Sequence, residues 1–361
     1  MLQDTTKKIA VLGMHRSGTS MVSGVLTKLG LYPGGKDQLY GPNSYNAKGY
    51  FENELIVECN EKILSQTAIN TLPGIFDRDC FSNNQTLDKL GWIFGAWALI
   101  NSNSQCSELE LKLIIDSIEA YIKKAPKTQP WVLKDPRLSL TLRKWSEVIK
   151  INAAIIMIRN PADVAHSLYQ RDNISLDIAC NLWLLYMHKA FEAVQNIPYI
   201  VIDYNDFIND HNAIILKIIR FLNDYKIFPD KTQRKAAEKF VDPVLNHGNK
   251  SKWANIPSDL KHLYQKFKTD NWSEINDIST EYVNSIKSEW ESAVYVAYEK
   301  KAIYITNHIT NHITNHYEGK ILHYKNRINR INNHPISGPV LALIRKIKKD
   351  PTFGTYENID I

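Results

Sequence analysis

Short apolar runs alternate along the chain with longer stretches in which apolar residues return every three or four positions. The runs are Ile9–Leu12, Trp131–Leu133, Ala154–Ile158 and Tyr199–Ile202, rich in β-branched side chains. They predict strands buried on both faces. The helical spacing covers Met21–Leu29, Leu109–Lys123, Leu138–Ile149, Ala162–Arg171, Ile178–Val194 and Ala213–Leu222. Strands alternating with helices predict a parallel sheet covered on both sides. The ligand crevice of such a sheet lies beyond the carboxyl ends of its strands. Those ends carry the unusual polar residues: His15 and Arg16, Lys134 and Asp135, Arg159 and Asn160, and Asp203.

Two segments break this rhythm. From about 32 to 54, Gly, Pro, Asn and Tyr accumulate, in a loop too long for a plain connector, which predicts a substrate-facing element. Its aromatics (Tyr32, Tyr40, Tyr45, Tyr50, Phe51) suit stacking on sugar rings or ordinary packing. Over 280–333 the pattern is mostly helical, with Ile305, Ile309, Ile313, Tyr317 and Ile321 on one face. His308, His312 and His316 recur at i, i+4 and i+8 there, yet no carboxylate or cysteine pattern supports a metal site. The expected division is therefore an α/β domain over 1–275 and a helical, basic extension over 276–361.

Composition narrows the classes. Hydrophobic residues make up 44% of 361, enough for a sizeable core. The four cysteines, Cys59, Cys80, Cys106 and Cys180, are scattered and form no C-x-x-C pair, which suits a reduced interior. Met1–Lys8 lacks an apolar signal core, and no apolar run reaches the roughly 18 residues of a membrane span. A cytoplasmic protein is expected. Of the net charge of +6, residues 300–349 hold ten Lys/Arg against one acid, Glu318. The remaining 34 basic and 37 acidic residues give a slightly acidic body, so charge offers no support for nucleic-acid binding. Val340–Lys349, apolar then basic, suits peripheral contact with the inner membrane surface, pairing with a partner helix or a plain solvated helix, and 280–349 as a whole suits helix-mediated self-association.

The chemistry begins at Gly13-Met14-His15-Arg16-Ser17-Gly18-Thr19-Ser20, between the first strand and the first helix. It nearly fits the phosphate-loop pattern G-x-x-x-x-G-K-[ST], but Thr19 stands at the lysine position. A strand, a glycine-bearing turn and a helix N-terminus converge backbone N–H groups on an anion. The loop predicts phosphate binding while lacking the most diagnostic residue of an ATPase or kinase.

This loop, with Lys134-Asp135-Pro136-Arg137 and with Ile158-Arg159-Asn160-Pro161 followed by Ser167, resembles the bacterial sulfotransferase family. It is more distantly similar to the protein-tyrosine and carbohydrate sulfotransferases. The resemblance spans about residues 8–225. It implies a P-loop NTPase-like three-layer α/β/α fold and 3′-phosphoadenosine-5′-phosphosulfate (PAPS) as donor, with adenosine 3′,5′-bisphosphate released and no metal required. The residues it implies for donor binding are Arg16, Ser17, Gly18, Thr19 and Ser20 at the phosphosulfate, and Arg159 with Ser167 at the 3′-phosphate. Lys134 would offset charge on the leaving phosphate oxygen. Asp135 would orient Lys134 or Arg16, or cap the following helix, and Arg137 would meet the acceptor or brace the carboxylates. Lys250 and Lys252 stand where some sulfotransferases carry a late basic loop, but the local sequence departs from that pattern and reads rather as a solvated turn.

An acceptor hydroxyl must lose its proton, so a general base is expected. Glu52, in Gly49-Tyr50-Phe51-Glu52, is the first candidate, because related enzymes place a catalytic glutamate beyond the first helix. His15 is the second, since it abuts the loop and titrates near neutrality. The resemblance points to a carbohydrate or glycolipid acceptor. A kinase or NTPase with a degenerate loop, and a non-catalytic scaffold built on the helical tail, are the competing readings.

Overall fold

The computed structural model describes residues 6–42, 48–71, 96, 108–124, 126, 128–172, 174–241 and 256–288, with single positions 318, 322, 325 and 326 beyond them. The chain divides into two compact units, Met1–Ala293 and Val294–Ile361, and the elements below belong to the first. The patterns assigned to 289–317 and to Val340–Lys349, and residues Lys250 and Lys252, lie outside the described residues.

All four expected strands are present, each extended by a single residue: β1 (Lys8–Leu12), β2 (Trp131–Lys134), β3 (Ala153–Ile158) and β4 (Tyr199–Asp203). They form one parallel sheet in the order β2-β1-β3-β4. Successive side chains of a strand point to opposite faces, and here both sets are buried. Ile9, Val11, Ile155 and Met157 join one apolar cluster with Val22, Val25 and Leu26 of α1 (Thr19–Lys28). The same cluster takes in α7 (Tyr204–Asn209), α8 (His211–Asp224) and α9 (Arg234–Phe240) through Phe207, Ile218 and Ala237.

Ala10, Leu12, Ala154 and Ile156 are equally buried on the other face. There the sheet meets α4 (Leu138–Val148), α6 (Leu176–Ala193) and α10 (Ser258–Thr269), with α5 (Pro161–Asp172) packed on α6. Between α1 and β2 the chain also forms α2 (Glu54–Thr71) and α3 (Glu108–Lys124). The result is the expected three-layer α/β/α arrangement. Each fully buried Ile, Leu or Phe in it stabilises the fold by roughly 1.5–3 kcal/mol. No helix among the described residues is long and apolar enough to cross a membrane. Cys59 and Cys180 are buried free thiols, and burial raises both to about 11.

The strand order reverses at β1: the chain leaves β1 for β2 on one side and returns to β3 on the other. Ligands of open α/β sheets bind at such a switch point. The residues after β1 and β3, among them Arg16 and Arg159, therefore flank the crevice.

A second device holds the helical residues 272–288 on α6. His188 Nδ1 lies 2.9 Å from Ser279 Oγ, and Trp272 stacks on Phe191 with ring centroids 5.9 Å apart. Burial, then the neighbouring Lys189 charge, lowers the His188 pKa to about 4. The unfolded chain takes up this proton near pH 6.5 and the folded chain does not until about pH 4, so stability falls as pH drops between them. The expected slope is about 1.4 kcal/mol per pH unit. Urea denaturation at pH 7 and pH 5 checks this: His188→Gln should lose less stability over that interval than the unsubstituted protein, and an equal loss removes His188 as the cause.

Candidate active site

The loop after β1 is shaped by two constraints. Gly18 caps α1 at φ 92°, and a Cβ there would lie 2.5 Å from the Tyr204 ring, so the position requires glycine. Ser139 of α4 accepts a hydrogen bond from the Gly13 N–H (2.8 Å) and donates one to the Gly13 carbonyl (3.2 Å). Arg16 sits at the tip with φ 69°. Behind it, Ser17 Oγ is buried with no hydrogen-bond partner among the described residues. The first N–H groups of α1, at Thr19 and Ser20, have no intrahelical acceptor. Backbone donors, the helix dipole and an arginine thus meet at one place.

Ser167, expected beside Arg159, is joined directly to Arg16 of the phosphate loop, and Arg159 reaches the same loop through its backbone. Arg16 Nε donates to Ser167 Oγ at 2.7 Å, and Arg159 Nη1 donates to the Arg16 carbonyl at 2.9 Å. Tyr204 stacks beneath the Arg159 guanidinium, 4.2 Å from ring centroid to Cζ, and Trp183 Nε1 fixes the Arg159 carbonyl at 3.0 Å. Arg159 Nε is buried and has no hydrogen-bond partner among the described residues. One turn beyond Ser167 on α5, Arg171 pairs with Asp172 through Nε and Oδ1 at 2.8 Å. Burial lowers the Arg16 pKa, and the Arg171 and Arg159 charges lower it further. Three guanidinium groups brought this close favour a bound anion.

On the other side of the loop stands a buried ion pair. Lys134, at the end of β2 and 1% exposed, donates to Glu52 Oε1, to Ser20 Oγ (3.1 Å) and to the Tyr50 carbonyl (3.1 Å). Glu52, 14% exposed, stays in contact with the crevice. Its backbone is set by the pairing of Leu39 with Asn53 and by the Tyr40 N–H bond to the Glu52 carbonyl at 3.0 Å.

Asp135 engages Arg137 and Asn60 and not Lys134 or Arg16, and of the two expectations for Arg137 it is the bracing of carboxylates that its contacts match. Its Oδ1 accepts from the Arg137 N–H (3.2 Å) and Nη1 (2.9 Å), and its Oδ2 accepts from Asn60 Nδ2 (2.8 Å). Arg137 Nη2 reaches Glu61 at 2.8 Å. Burial alone would lower the Arg137 pKa, but Asp135 and Glu61 raise it above its ordinary value. Asp203 caps α7 by accepting from the N–H groups of Asn205 (2.9 Å) and Asp206 (3.1 Å), and it also accepts from the Tyr264 hydroxyl.

His15 is buried beside Tyr186, with rings edge to face at 5.7 Å. Burial holds its pKa well below the ordinary value, and the charges of Arg137, Arg171, Lys134 and Arg16 push it the same way. The imidazole is neutral at pH 7, and the same cations oppose its taking up a proton.

Sequence reasoning missed Arg171, Tyr204, Ser139 and Asn60. Arg171 had a readable signal, four residues from Ser167 on one helix face. Asn60 had another, a polar residue among Ile56, Val57, Ile63 and Leu64 on the buried side of α2. The aromatics of the 32–54 segment divide. Tyr32 packs on Trp131 and Phe51 on Phe240, Tyr40 is exposed, and Tyr45 lies outside the described residues.

No protein-family model matches the chain, and no curated protein matches it. Among solved structures it is similar to the sulfotransferase domain of the Synechococcus PCC 7002 olefin synthase, at 16% identity and a TM-score of 0.38, over 79% of this chain and 96% of that one. It is also similar to sulfotransferase STF9 from Mycobacterium avium, at 15% and 0.41, over 78% and 76%. A sulfotransferase domain from the curacin biosynthetic pathway gives 15% and 0.39, over 74% and 97%.

Proposed function

We propose that this chain transfers a sulfuryl group from PAPS to an acceptor hydroxyl on a carbohydrate or glycolipid, releasing adenosine 3′,5′-bisphosphate. One observation carries the reading: a cation cluster (Arg16, Arg159, Arg171) and a lysine–carboxylate pair (Lys134, Glu52) flank one phosphate loop. A donor with two separate anionic groups needs two anion seats, and the acceptor needs a base close to one of them. Arg16, Ser17, Gly18, Thr19 and Ser20 take the phosphosulfate. Arg159 and Ser167, with Arg171 beside them, take the 3′-phosphate, and the buried donor Arg159 Nε suits an oxyanion there.

Glu52 accepts the proton as the acceptor oxygen attacks sulfur. The bond from sulfur to the bridging phosphate oxygen breaks, and Lys134 and Arg16 stabilise the charge left on that oxygen. Glu52 is preferred over His15 as the base because burial, and after it the charges of Arg137, Arg171, Lys134 and Arg16, oppose protonation of the imidazole, while Glu52 stays in contact with the crevice.

A nucleoside-triphosphatase reading lacks the loop lysine, and the strand-end acids Asp135 and Asp203 are engaged by Arg137, Asn60 and Tyr264. Calorimetry separates the two. Binding of adenosine 3′,5′-bisphosphate without binding of ATP–magnesium supports sulfuryl transfer, and the reverse pattern overturns it. The acceptor is sought by incubating the protein with radiolabelled PAPS and cell-envelope extract and identifying the labelled product. In the same calorimeter, Arg159→Ala should weaken bisphosphate binding by about 2–3 kcal/mol, since it removes a charge-assisted contact. Equal affinity takes Arg159 out of the site.

A further inference from the structure

The segment that carries Glu52 is held in a conformation its own sequence does not favour. Phe51 has φ 54°, in the left-handed region that bulky side chains avoid. Strain of this kind persists where surrounding contacts over-determine it, and it clusters at functional sites. The twist at Phe51 has a definite result. The carbonyl of Tyr50 and the carboxylate of Glu52, on either side of it, both reach Lys134 Nζ, and the Phe51 ring is carried onto Phe240.

Phe240, the last residue of α9, is the other half of this arrangement. Its ring meets Phe51 edge to face, with centroids 5.6 Å apart at 81°. Lys48 lies over the same ring at 5.2 Å and donates to the Phe240 carbonyl at 2.5 Å. The ring rests flush on the backbone of α1, where a Cβ on Gly24 would meet it at 2.2 Å. One aromatic side chain therefore touches both ends of residues 48–51 and seats them on the helix that follows the phosphate loop.

We propose that Phe240 is a positioning residue for Glu52. It stabilises the twisted conformation of Phe51 and so keeps the carboxylate on Lys134, without itself reaching the crevice. This rests on the reading that Glu52 takes the acceptor proton. A displacement of about 1 Å at a reacting group can cost on the order of a hundredfold in rate, so loss of the seat should lower turnover and leave the donor seats unchanged.

The test compares Phe240→Leu, Phe240→Tyr and Gly24→Ala with the unsubstituted protein in three measurements. Transfer of label from PAPS to envelope extract should fall by about tenfold to a hundredfold in Phe240→Leu and Gly24→Ala. It should be largely retained in Phe240→Tyr, which keeps the ring. Binding of adenosine 3′,5′-bisphosphate should change by no more than about twofold, because neither position touches an anion seat. Acetylation of Lys134 by acetic anhydride, read by mass spectrometry, should be slow in the unsubstituted protein and faster in Phe240→Leu. Unchanged transfer and unchanged Lys134 protection in Phe240→Leu would overturn the assignment, as would a parallel loss of bisphosphate binding. If the unsubstituted protein neither transfers label nor binds the bisphosphate, the sulfuryl-transfer reading fails. The acetylation comparison then still decides whether Phe240 holds Glu52 on Lys134.

Discussion

Lys134→Met is expected to reduce sulfuryl transfer by about 10²–10³-fold, the usual effect of removing one preorganised donor from a site of developing negative charge. The geometry makes the prediction specific. An ammonium group has three N–H donors, and Lys134 uses them on Glu52, Ser20 and the Tyr50 carbonyl. To reach the leaving phosphate oxygen it must release one of the three. Release of Glu52 does two things at once, since it frees a donor for the departing oxygen and a carboxylate for the acceptor proton. Donor binding should therefore precede productive acceptor binding. Methionine fills a similar volume, so the slot does not collapse, and the seats built on Arg16 and Arg159 are untouched. PAPS affinity should stay within about threefold while single-turnover transfer falls, since truncating a group used only as charge develops on the leaving oxygen spares ground-state binding. Lys134→Arg should rescue little, because a planar fork does not fit a slot in which the side chain is 1% exposed. Transfer by Lys134→Met at the rate of the unsubstituted protein would take this lysine out of the reaction.

What could be read without coordinates follows from where the physical signal is local. The strands are visible because burial on both faces leaves no polar positions within them, as in Ala153–Ile158. The longer helices are visible because their apolar faces repeat, and α8 differs from its expected span only at its ends. Tyr204–Asn209 and Arg234–Phe240 have six and seven residues, too few for a period to emerge. Helix α2 begins directly after the Gly- and Asn-rich segment and alternates weakly, so nothing announced it.

The same division holds at the crevice. Arg16, Lys134 and Arg159 are legible because each stands at or just beyond the carboxyl end of a strand, where open α/β sheets collect ligands. Tyr204, Ser139, Asn60 and Phe240 act through partners 45 to 189 positions away along the chain, and no local pattern encodes that (Arg159, Gly13, Asp135 and Phe51 are those partners). The Phe51 twist is hidden for a further reason: a phenylalanine is not a residue from which positive φ is inferred.

The second large effect is expected in stability. Asp135→Ala should destabilise the fold by about 3–5 kcal/mol, the range for removing one partner of a buried ion pair. The Asp135 side chain is fully buried and that of Arg137 is 12% exposed, so the guanidinium has little water to fall back on. Without Asp135, Arg137 keeps Glu61, whose side chain is 51% exposed and contributes as a surface pair does. Its Nε is already buried without a hydrogen-bond partner among the described residues, so no second partner stands ready. Asn60 loses the acceptor for its amide, although its carbonyl oxygen still accepts from Thr141 Oγ1 (2.7 Å) and Trp145 Nε1 (2.8 Å).

Most of the penalty is an unpaired buried charge, and that gives a sharp control. Asp135→Ala combined with Arg137→Met should be more stable than Asp135→Ala alone, because the charge that lacks a partner is gone. Urea denaturation of the two single variants, the double variant and the unsubstituted protein closes the cycle. A loss under about 1 kcal/mol for Asp135→Ala, or a double variant less stable than both singles, would contradict the pairing. High salt should change the result little, since buried pairs are screened far less than exposed ones. The turn over 135–137 follows Lys134 directly and leads into α4, which pins the phosphate loop through Ser139. Loosening that turn should therefore reach both flanks of the crevice, and part of the transfer that Asp135→Ala loses should be recovered in the double variant along with its stability.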